Sequence, residues 1–281
     1  MQNSIQTCLW FKQTAKEALE FYQSIFEDFD VKSENPMACS VRMNGTDFIF
    51  LGGAKQLDFN PSISFFVIFT SQEELEKKWK ALSADGKVLM ELNNYPWSSS
   101  YGWCEDRNGI SWQLMIHSSL PEKIIPALLF TQHNNGKAEQ AIRYYTTLIP
   151  NSRIDLLDRY VEGSGDTPGN IQHAQFLLNS QHFVALESSH MHQFIFNDAI
   201  SFVITCQNQQ EIDWYWDSFI QDGGKPGRCG WLKDSFGVSW QIVPENLGRL
   251  LAHPDKYKQV TDLFMRMDKI NLQVLQDAIE S

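Results

Sequence analysis

The stretch AISFVITCQNQQEIDWYWDSFIQDGGKPGRCGWLKDSFGVSWQIVP, residues 199–244, decides the fold. An apolar run at 200–205 predicts a buried strand, and apolar residues at helical spacing over 209–221 predict an amphipathic helix. After a Gly-Gly turn, residues 229–232 and 238–243 predict two further strands. The stretch therefore predicts a unit of one strand, one helix and two more strands.

The chain contains an earlier copy of this unit. The segment SISFFVIFTSQEELEKKWKALSADG, residues 62–86, aligns without a gap with the start of the later copy, so that Ser64 matches Ser201. The segment YGWCEDRNGISWQLM matches CGWLKDSFGVSWQIV and places Gln113 over Gln241. Two matching blocks at slightly different offsets indicate a duplicated domain with an insertion or deletion between them.

The remaining residues predict one more unit in each half. Thr14 and Glu17 have the spacing of a capping box at a helix start, and Asn44-Gly45 between two apolar runs predicts a hairpin. The second half restarts at residue 124 with a strand and a similar helix. This order of elements predicts an α+β fold. The predicted parts are a first domain at 1–117, a linker at 118–124, a second domain at 125–245 and a helical tail at 246–281.

Composition and charge exclude several kinds of partner. The chain of 281 residues carries a formal net charge of −11, whereas nucleic acid is bound through clustered Lys and Arg, so we expect no nucleic-acid partner. No apolar run approaches the roughly 20 residues of a membrane helix, and the N-terminal residues lack the layout of a signal peptide. We therefore expect no membrane partner and a cytoplasmic location. Five cysteines without a CxxC pair indicate neither a disulfide framework nor a zinc site.

Several segments carry a resemblance to a known family: CGWLKDSFGVSWQIVP, SFVITCQNQQEIDWYW, the helix start KEALEFYQSIF and the tail MRMDKINLQVLQDA. They resemble the PhnB-like proteins, some of which carry the family label "3-demethylubiquinone-9 3-methyltransferase". These belong to the vicinal oxygen chelate superfamily of glyoxalase I, the bleomycin-resistance proteins and the extradiol dioxygenases. The resemblance covers essentially the whole chain. It implies two glyoxalase-like domains built from four βαβββ modules, each domain with a half-barrel cleft, followed by a C-terminal helical tail.

The methyltransferase label does not agree with the sequence pattern. Transfer from S-adenosylmethionine usually uses a doubly wound sheet with a Gly-rich turn after its first strand. The glycine pairs of this chain, Gly163 with Gly165 and Gly223 with Gly224, lie in polar loops. We therefore predict that this protein does not catalyse methyl transfer.

The resemblance also bears on metal binding. In metal-using members of the superfamily, four side chains, typically His and Glu, chelate a divalent ion in the cleft. Here Gln113 and Gln241 occupy the carboxylate position, and Ser64 and Ser201 stand where a histidine would be. A neutral amide lacks the charge with which Glu holds Zn, Ni or Mn. We predict no metal ligands and no cofactor, with a divalent ion held by another ligand set as the alternative.

Other side chains could supply such a set. They are Glu187 and the histidines that cluster near it in the sequence, His173, His182, His190 and His192. We favour the interpretation that these are surface histidines, because no fixed partner residue accompanies them.

The remaining candidate site is an aromatic cleft that carries amide side chains. Its candidate residues are Trp10, Phe50, Ser64, Trp103 and Gln113 in the first domain and Phe130, Ser201, Trp231 and Gln241 in the second. We predict that the cleft binds a small aromatic or flat molecule. The alternatives are a metal-dependent lyase, isomerase or dioxygenase and a structural module that forms a homodimer through the tail helices. For the two glutamines themselves, we favour a structural hydrogen-bonding role over orientation of a ligand.

Overall fold

The computed structural model describes residues 5–117 and 123–280. Four modules of similar order follow one another along the chain. The first contains β1 (Ile5–Trp10), α1 (Ala15–Ile25), β2 (Phe29–Glu34), β3 (Ala38–Met43) and β4 (Thr46–Leu51). The second contains β5 (Ile63–Phe69), α2 (Gln72–Ser83), β6 (Lys87–Tyr95), β7 (Ser98–Glu105) and β8 (Ser111–Ile116).

The second half repeats this order and adds a tail. The third module contains β9 (Ile124–Thr131), α3 (Ala138–Leu148), β10 (Arg153–Arg159), β11 (Ile171–Leu178) and β12 (Gln181–Ser188). The fourth contains β13 (Ile200–Cys206), α4 (Gln209–Gln221), β14 (Lys225–Pro226), β15 (Trp231–Lys233) and β16 (Ser239–Pro244). The tail contains α5 (Leu247–Leu251), α6 (Tyr257–Phe264) and α7 (Leu272–Glu280). None of the helices in the described part of the chain is long and apolar enough to cross a membrane.

Two local sequence signals, a helix capping box and a hairpin turn, correspond to elements of the structure. The backbone N–H of Glu17 donates to Oγ1 of Thr14 at 3.2 Å, and Oε2 of Glu17 accepts from the N–H of Thr14 at 2.9 Å, which completes the capping box of α1. Asn44 and Gly45 have positive φ angles of 43° and 69°, so both residues of the β3–β4 hairpin turn adopt the left-handed conformation that such turns require. Both predictions are confirmed.

The chain divides into two compact units. One runs from Thr7 to Ile200, and the other combines the chain from Ser201 onward with the first residues through Gln6. Within the first of these units, β5 of the second module pairs antiparallel with β9 of the third. Most of the predicted linker at 118–124 lies outside the described residues.

The unit from Thr7 to Ile200 contains an eight-stranded sheet in the order β10-β11-β12-β9-β5-β8-β7-β6. Helix α2 packs on β5, β7 and β8, and α3 packs on β10, β11 and β12, so both helices cover the same face of the sheet. Four further strands of this unit run in the order β1-β4-β3-β2, with α1 packed on β3 and β4. The core between helices and strands is aromatic: the fully buried ring of Trp112 lies 5.3 Å from that of Phe65.

In the other unit, four strands run in the order β14-β15-β16-β13, and α4 packs on β15 and β16. The outer strands are much shorter than their counterparts in the second module. The tail lies beside β15 instead, where the backbone N–H groups of Cys229 and Gly230 donate to the carbonyl oxygens of Met267 and Asp268 at 2.7 and 2.8 Å. The tail therefore satisfies backbone donors that a longer neighbouring strand would otherwise pair.

Candidate functional site

The strand register places one set of side chains on the face of the eight-stranded sheet opposite α2 and α3. We name this set the cup face. Its residues are Ser64, Phe66 and Ile68 of β5, Tyr101 and Trp103 of β7, Gln113 and Met115 of β8, Ile125 and Ala127 of β9, His173 of β11, and Val184 and Leu186 of β12. The apolar members pack into one cluster in which Phe66, Ile68, Tyr101, Ala127 and Val184 are buried.

The cup face is concave. Strands β5 and β11 are separated by β9 and β12, so on a flat sheet the backbones would lie about 14 Å apart at the usual strand spacing. The rings of Phe66 and His173 nevertheless meet edge to face, with their centroids 6.4 Å apart. The sheet must curl for these side chains to touch, and the curl forms a half-closed cup.

A chain of hydrogen bonds crosses the centre of the cup face. The hydroxyl of Tyr101 donates to Oε1 of Gln113 at 2.6 Å, and Nε2 of Gln113 donates to Oγ of Ser64 at 2.8 Å. All three side chains are nearly inaccessible to water, and burial raises the pKa of Tyr101, so its hydroxyl stays a neutral donor. Trp103 lies beside them, with Nε1 donating to Oγ of Ser111 at 2.7 Å. The predicted residues Ser64, Trp103 and Gln113 thus come together.

An aromatic corner extends from this centre toward solvent. The rings of Tyr95 and Trp97 are stacked at 5.1 Å, and both meet the ring of Tyr101 edge to face. Trp97 is 59% exposed, although a large aromatic ring normally gains from burial. The corner therefore offers an exposed aromatic surface that is continuous with the buried centre of the cup.

Burial also affects the histidine of the cup face. His173 is half-buried, and loss of hydration lowers its pKa, while the carboxylate of Asp158 opposes this effect. Its Nε2 lies 3.0 Å from Nε2 of Gln175, and because an amide nitrogen can only donate, the ring nitrogen accepts. The imidazole is then neutral with its proton on Nδ1, which can donate a hydrogen bond at neutral pH.

The same polar pair recurs in the other unit. Nε2 of Gln241 donates to Oγ of Ser201 at 2.9 Å, and Trp231 lies opposite Gln241 in the β15–β16 register. The predicted residues Ser201, Trp231 and Gln241 therefore also come together. The position of Tyr101 is taken by Cys229, which has no phenol to extend the chain of hydrogen bonds.

The structure places the other three predicted residues elsewhere. Phe50 is fully buried, with its ring 5.5 Å from that of Tyr22 in α1, and so lies in the core on the helix side. Phe130 is paired with Glu187, whose carboxylate reaches the start of α3, so it also lies on the helix side. The reason is strand alternation, because neighbouring residues point to opposite faces. Trp10 lies on the opposite face of β1 from Leu9, the register partner of Phe50, and its Nε1 donates to the carbonyl oxygen of Gly52 at 3.2 Å.

The donors of the cup face do not fit a transition-metal ion. The Gln113 and Ser64 side chains bind each other, and they offer neutral oxygen atoms where a chelating site needs charged or imidazole ligands. Within residues 5–117 and 123–280, no group of three or more His, Cys, Asp or Glu side chains is arranged to hold a metal ion.

The alternative metal ligands have other contacts. The Glu187 carboxylate accepts from the backbone N–H of Ala138 at 2.7 Å and from that of Ile171 at 2.5 Å. The carboxylate thereby fixes the start of α3. Nε2 of His192 lies 2.9 Å from Oγ of Ser188.

The predicted site omits most of the cup face, including Tyr101 and Phe66, and the sequence indicates His173 only as an alternative metal ligand. Tyr101 and Phe66 are not repeated as identical residues in the other copy, whereas Ser64, Trp103 and Gln113 are. The one available signal was alternation along β7, because Tyr101 and Trp103 are two positions apart and so share a face with Gln113.

Comparisons with known proteins agree with this architecture. The family model described as 3-demethylubiquinone-9 3-methyltransferase matches residues 3–115 and 122–243. Glyoxalase I from Zea mays is similar in structure, with a TM-score of 0.59 and 12% identity over 90% of this chain and 98% of that chain. A PhnB protein from Bacillus cereus is 29% identical over 40% of this chain and 98% of its own, with a TM-score of 0.37. No curated protein matches the sequence significantly. The glyoxalase-like fold predicted from the sequence is confirmed.

Proposed function

The chain belongs to the family described as 3-demethylubiquinone-9 3-methyltransferase, and from this membership and the geometry of the cup face we propose that it binds a small, flat aromatic molecule. The observation that carries the proposal is the hydrogen-bonded chain of Tyr101, Gln113 and Ser64 at the centre of an apolar, aromatic cup. Pockets for small molecules typically combine apolar and aromatic walls with a few polar groups that fix orientation.

The polar chain supports orientation of a ligand. The amide of Gln113 has two N–H groups, and only one is used in its bond to Ser64. A ligand carbonyl or phenol oxygen can accept from the second N–H group, and Nδ1–H of the neutral His173 imidazole can donate to a second ligand oxygen on the opposite side. A flat ring between these groups would contact Phe66 and Trp103.

The two copies of the Ser-Gln pair are not equivalent in this proposal. The first has Tyr101 and the exposed aromatic corner, whereas the second has Cys229 at the same position and the tail at its edge. We assign ligand binding to the cup face and a structural role to the pair Ser201 and Gln241. The described sheets mix parallel and antiparallel strands, whereas methyl transfer usually uses a doubly wound parallel sheet, so binding is proposed in preference to methyl transfer.

A screen of flat aromatic compounds tests the proposal. A ligand at 100 times its Kd stabilises the folded protein by about 2.7 kcal/mol, which thermal unfolding detects readily. We expect at least one phenol or fused-ring compound to raise the Tm and to quench part of the tryptophan fluorescence, to which Trp103 contributes. Divalent Zn, Ni and Mn form the second arm of the screen. A rise in Tm with a metal alone, and none with any aromatic compound, would favour the metal-dependent lyase, isomerase or dioxygenase instead.

The repeated pair provides a matched control. Gln113→Leu removes the orienting amide of the cup, and we expect it to weaken binding about tenfold or more, as for the loss of a buried hydrogen bond. Gln241→Leu makes the same chemical change in the other copy and should leave the affinity unchanged. Equal loss of affinity in both variants would contradict the assignment of the ligand to the cup face.

A further inference from the structure

A polar cavity of about 420 Å³ lies in the unit from Thr7 to Ile200. We name it the Asn108 cavity. Its walls come from Lys12 and Gln13 before α1, from the segment 57–59, from the turn 85–87 after α2 and from the turn 105–109 between β7 and β8. None of these residues belongs to the cup face as defined above. The volume falls within the range of about 300–1,000 Å³ that small-molecule sites occupy.

Hydrogen bonds in the wall of this cavity all point the same way. Nε2 of Gln13 donates to Oδ1 of Asn108 at 2.7 Å, Nδ2 of Asn108 donates to the hydroxyl of Tyr22 at 3.2 Å, and that hydroxyl donates to Oδ2 of Asp106 at 2.7 Å. Because every hydrogen of this chain points toward the buried carboxylate, the chain is polarised, and it leaves the amide oxygen of Gln13 available as an acceptor at its outer end. An acceptor at this end favours a ligand that brings an N–H donor.

The rim of the cavity carries opposite charges in pairs. Lys12 binds Asp58, and Nη2 of Arg107 lies 3.1 Å from Oδ2 of Asp85. The four side chains are between 50% and 80% exposed. Such surface ion pairs contribute little to stability, so exchanging one partner for a charged group of a ligand costs little. A ligand with one positive and one negative group can interact with both the acidic and the basic side chains of the rim.

The other copy of the motif has lost the cavity-forming residues. The segment EDRNG at 105–109 aligns with KDSFG at 233–237, so Phe236 stands where Asn108 would be and Ser235 where Arg107 would be. Phe236 is buried, with only 5% exposure. The repeated motif therefore does not require a polar cavity, and the first copy has amide and guanidinium groups that the turn itself does not need.

We propose that the Asn108 cavity binds a free amino acid or a similarly small zwitterion. Its ammonium group donates to the amide oxygen of Gln13, and its carboxylate pairs with Arg107 or Lys12. The side chain of the ligand occupies the remaining volume beside Phe59. This site is independent of the aromatic ligand proposed for the cup face.

Titration calorimetry with the common free amino acids, one at a time, tests the proposal on the full chain. We expect saturable binding of at least one of them. Trimethylglycine carries the same two charges but has no N–H group, and we expect it to show no binding when it is titrated in the same way. Absence of binding by every amino acid, or equal binding of trimethylglycine, would overturn the proposed site.

Two variants locate the binding. Asn108→Phe copies the residue of the other copy and should reduce the affinity more than about tenfold by filling the cavity. Gln13→Leu removes the acceptor at a half-buried position and should reduce the affinity about tenfold. This second variant tests the site even if Asn108→Phe does not fold. Gln241→Leu, in the other unit, should leave the affinity for the amino acid unchanged. An affinity for the amino acid that Gln13→Leu leaves intact would refute the site, whatever the outcome for aromatic ligands.

Discussion

The indole nitrogen of Trp112 donates a hydrogen bond of 2.8 Å to Oδ2 of Asp106, six residues earlier in the chain. The other carboxylate oxygen, Oδ1, accepts from the backbone N–H groups of Asn108 and Ile110 at 2.8 and 3.1 Å. One buried carboxylate thus closes the β7–β8 turn and fixes the largest ring of the core. The residue at the tip, Gly109, has a φ of 87°, a conformation that favours glycine.

The other copy repeats this arrangement. Nε1 of Trp240 donates to Oδ2 of Asp234 at 2.9 Å, and Oδ1 of Asp234 accepts from the N–H groups of Phe236 and Val238. The signature that reveals the duplication is therefore explained by turn geometry and core packing. Its repetition is evidence about the fold, whereas the differences between the copies are the better guide to binding.

Replacing these carboxylates should destabilise each unit. Asp106→Asn turns one acceptor into a donor that faces Trp112 or Tyr22, and an unsatisfied buried polar group costs roughly 1–3 kcal/mol. We expect a loss of that size for Asp106→Asn and a somewhat smaller loss for Asp234→Asn, because Asp106 also accepts from Tyr22. Urea unfolding followed by near-UV circular dichroism measures both. The exposed Asp85→Asn should stay within about 0.5 kcal/mol of the parent, and a similar value for Asp106→Asn would contradict the structural role.

Glu187 should also prove structural. Glu187→Gln leaves one of the two N–H groups, at Ala138 or Ile171, facing an amide donor, so we expect a loss of about 1–3 kcal/mol in the free energy of unfolding. Glu162→Gln in an exposed loop is the control. Because the carboxylate lies on the helix side, binding of aromatic compounds to the folded variant should be unchanged. A folded variant that is stable but has lost ligand binding would instead indicate a role in the site.

How far the sequence predicts this structure differs from element to element. Helix α4 has the predicted bounds, because its apolar residues recur at helical spacing. The residue pattern itself does not predict strands β2 and β10, since they lie at the outer end of their strand orders and most of their side chains are exposed. An outer strand forms through backbone hydrogen bonds, which leave little trace in the pattern of apolar residues. The sequence also does not predict the pairing of β5 with β9, because we predicted these two strands to lie in separate domains.

The candidate site shows the same limit. Aligning the copies found Gln113, Ser64 and Trp103, because equal residues in equal positions share a strand face. Phe50 and Phe130 were predicted to line the cleft but lie in the helix-side core. An aromatic residue in a strand fits either the helix-side core or the open face. Only the register decides between these faces, and a shift of one residue reverses the answer.

The cup face should make stability depend on pH through His173. Burial lowers its pKa in the folded state, so the neutral form is favoured and the stability that depends on it is present above the unfolded value of about 6.5. That stability is lost as the pH falls through the lower, folded pKa. Asp158, its register partner on β10, limits the effect.

Comparing unfolding free energies at neutral pH and at about pH 5 for the parent and for His173→Gln tests this expectation. The variant should lose less stability on acidification than the parent. Burial also lowers the pKa of His182 and His192, so a smaller slope will remain. His133→Gln, at an exposed position, should keep the slope of the parent. An unchanged slope in His173→Gln would show that this imidazole does not contribute.

The last prediction concerns the contact between Gly230 and the tail. Gly230 has a φ of 81°, and a Cβ atom there would lie 2.6 Å from the carbonyl oxygen of Ile242 and 3.2 Å from Cγ1 of Ile270. The backbone contact cannot yield as a flexible side chain would, and the left-handed conformation adds strain of about 1–2 kcal/mol for any other residue. Gly230→Ala should therefore move the strand away from the tail and weaken the bonds from Cys229 and Gly230 to Met267 and Asp268. Hydrogen exchange at these two N–H groups should become faster in the variant.

Gly248→Ala is the control. With open space around its Cβ in helix α5, it should leave exchange unchanged and stabilise the helix by up to about 1 kcal/mol. Unaltered protection of Cys229 and Gly230 in Gly230→Ala would mean that other contacts, such as the bonds of Gln209 with Ile270 and Leu272, hold the tail in place.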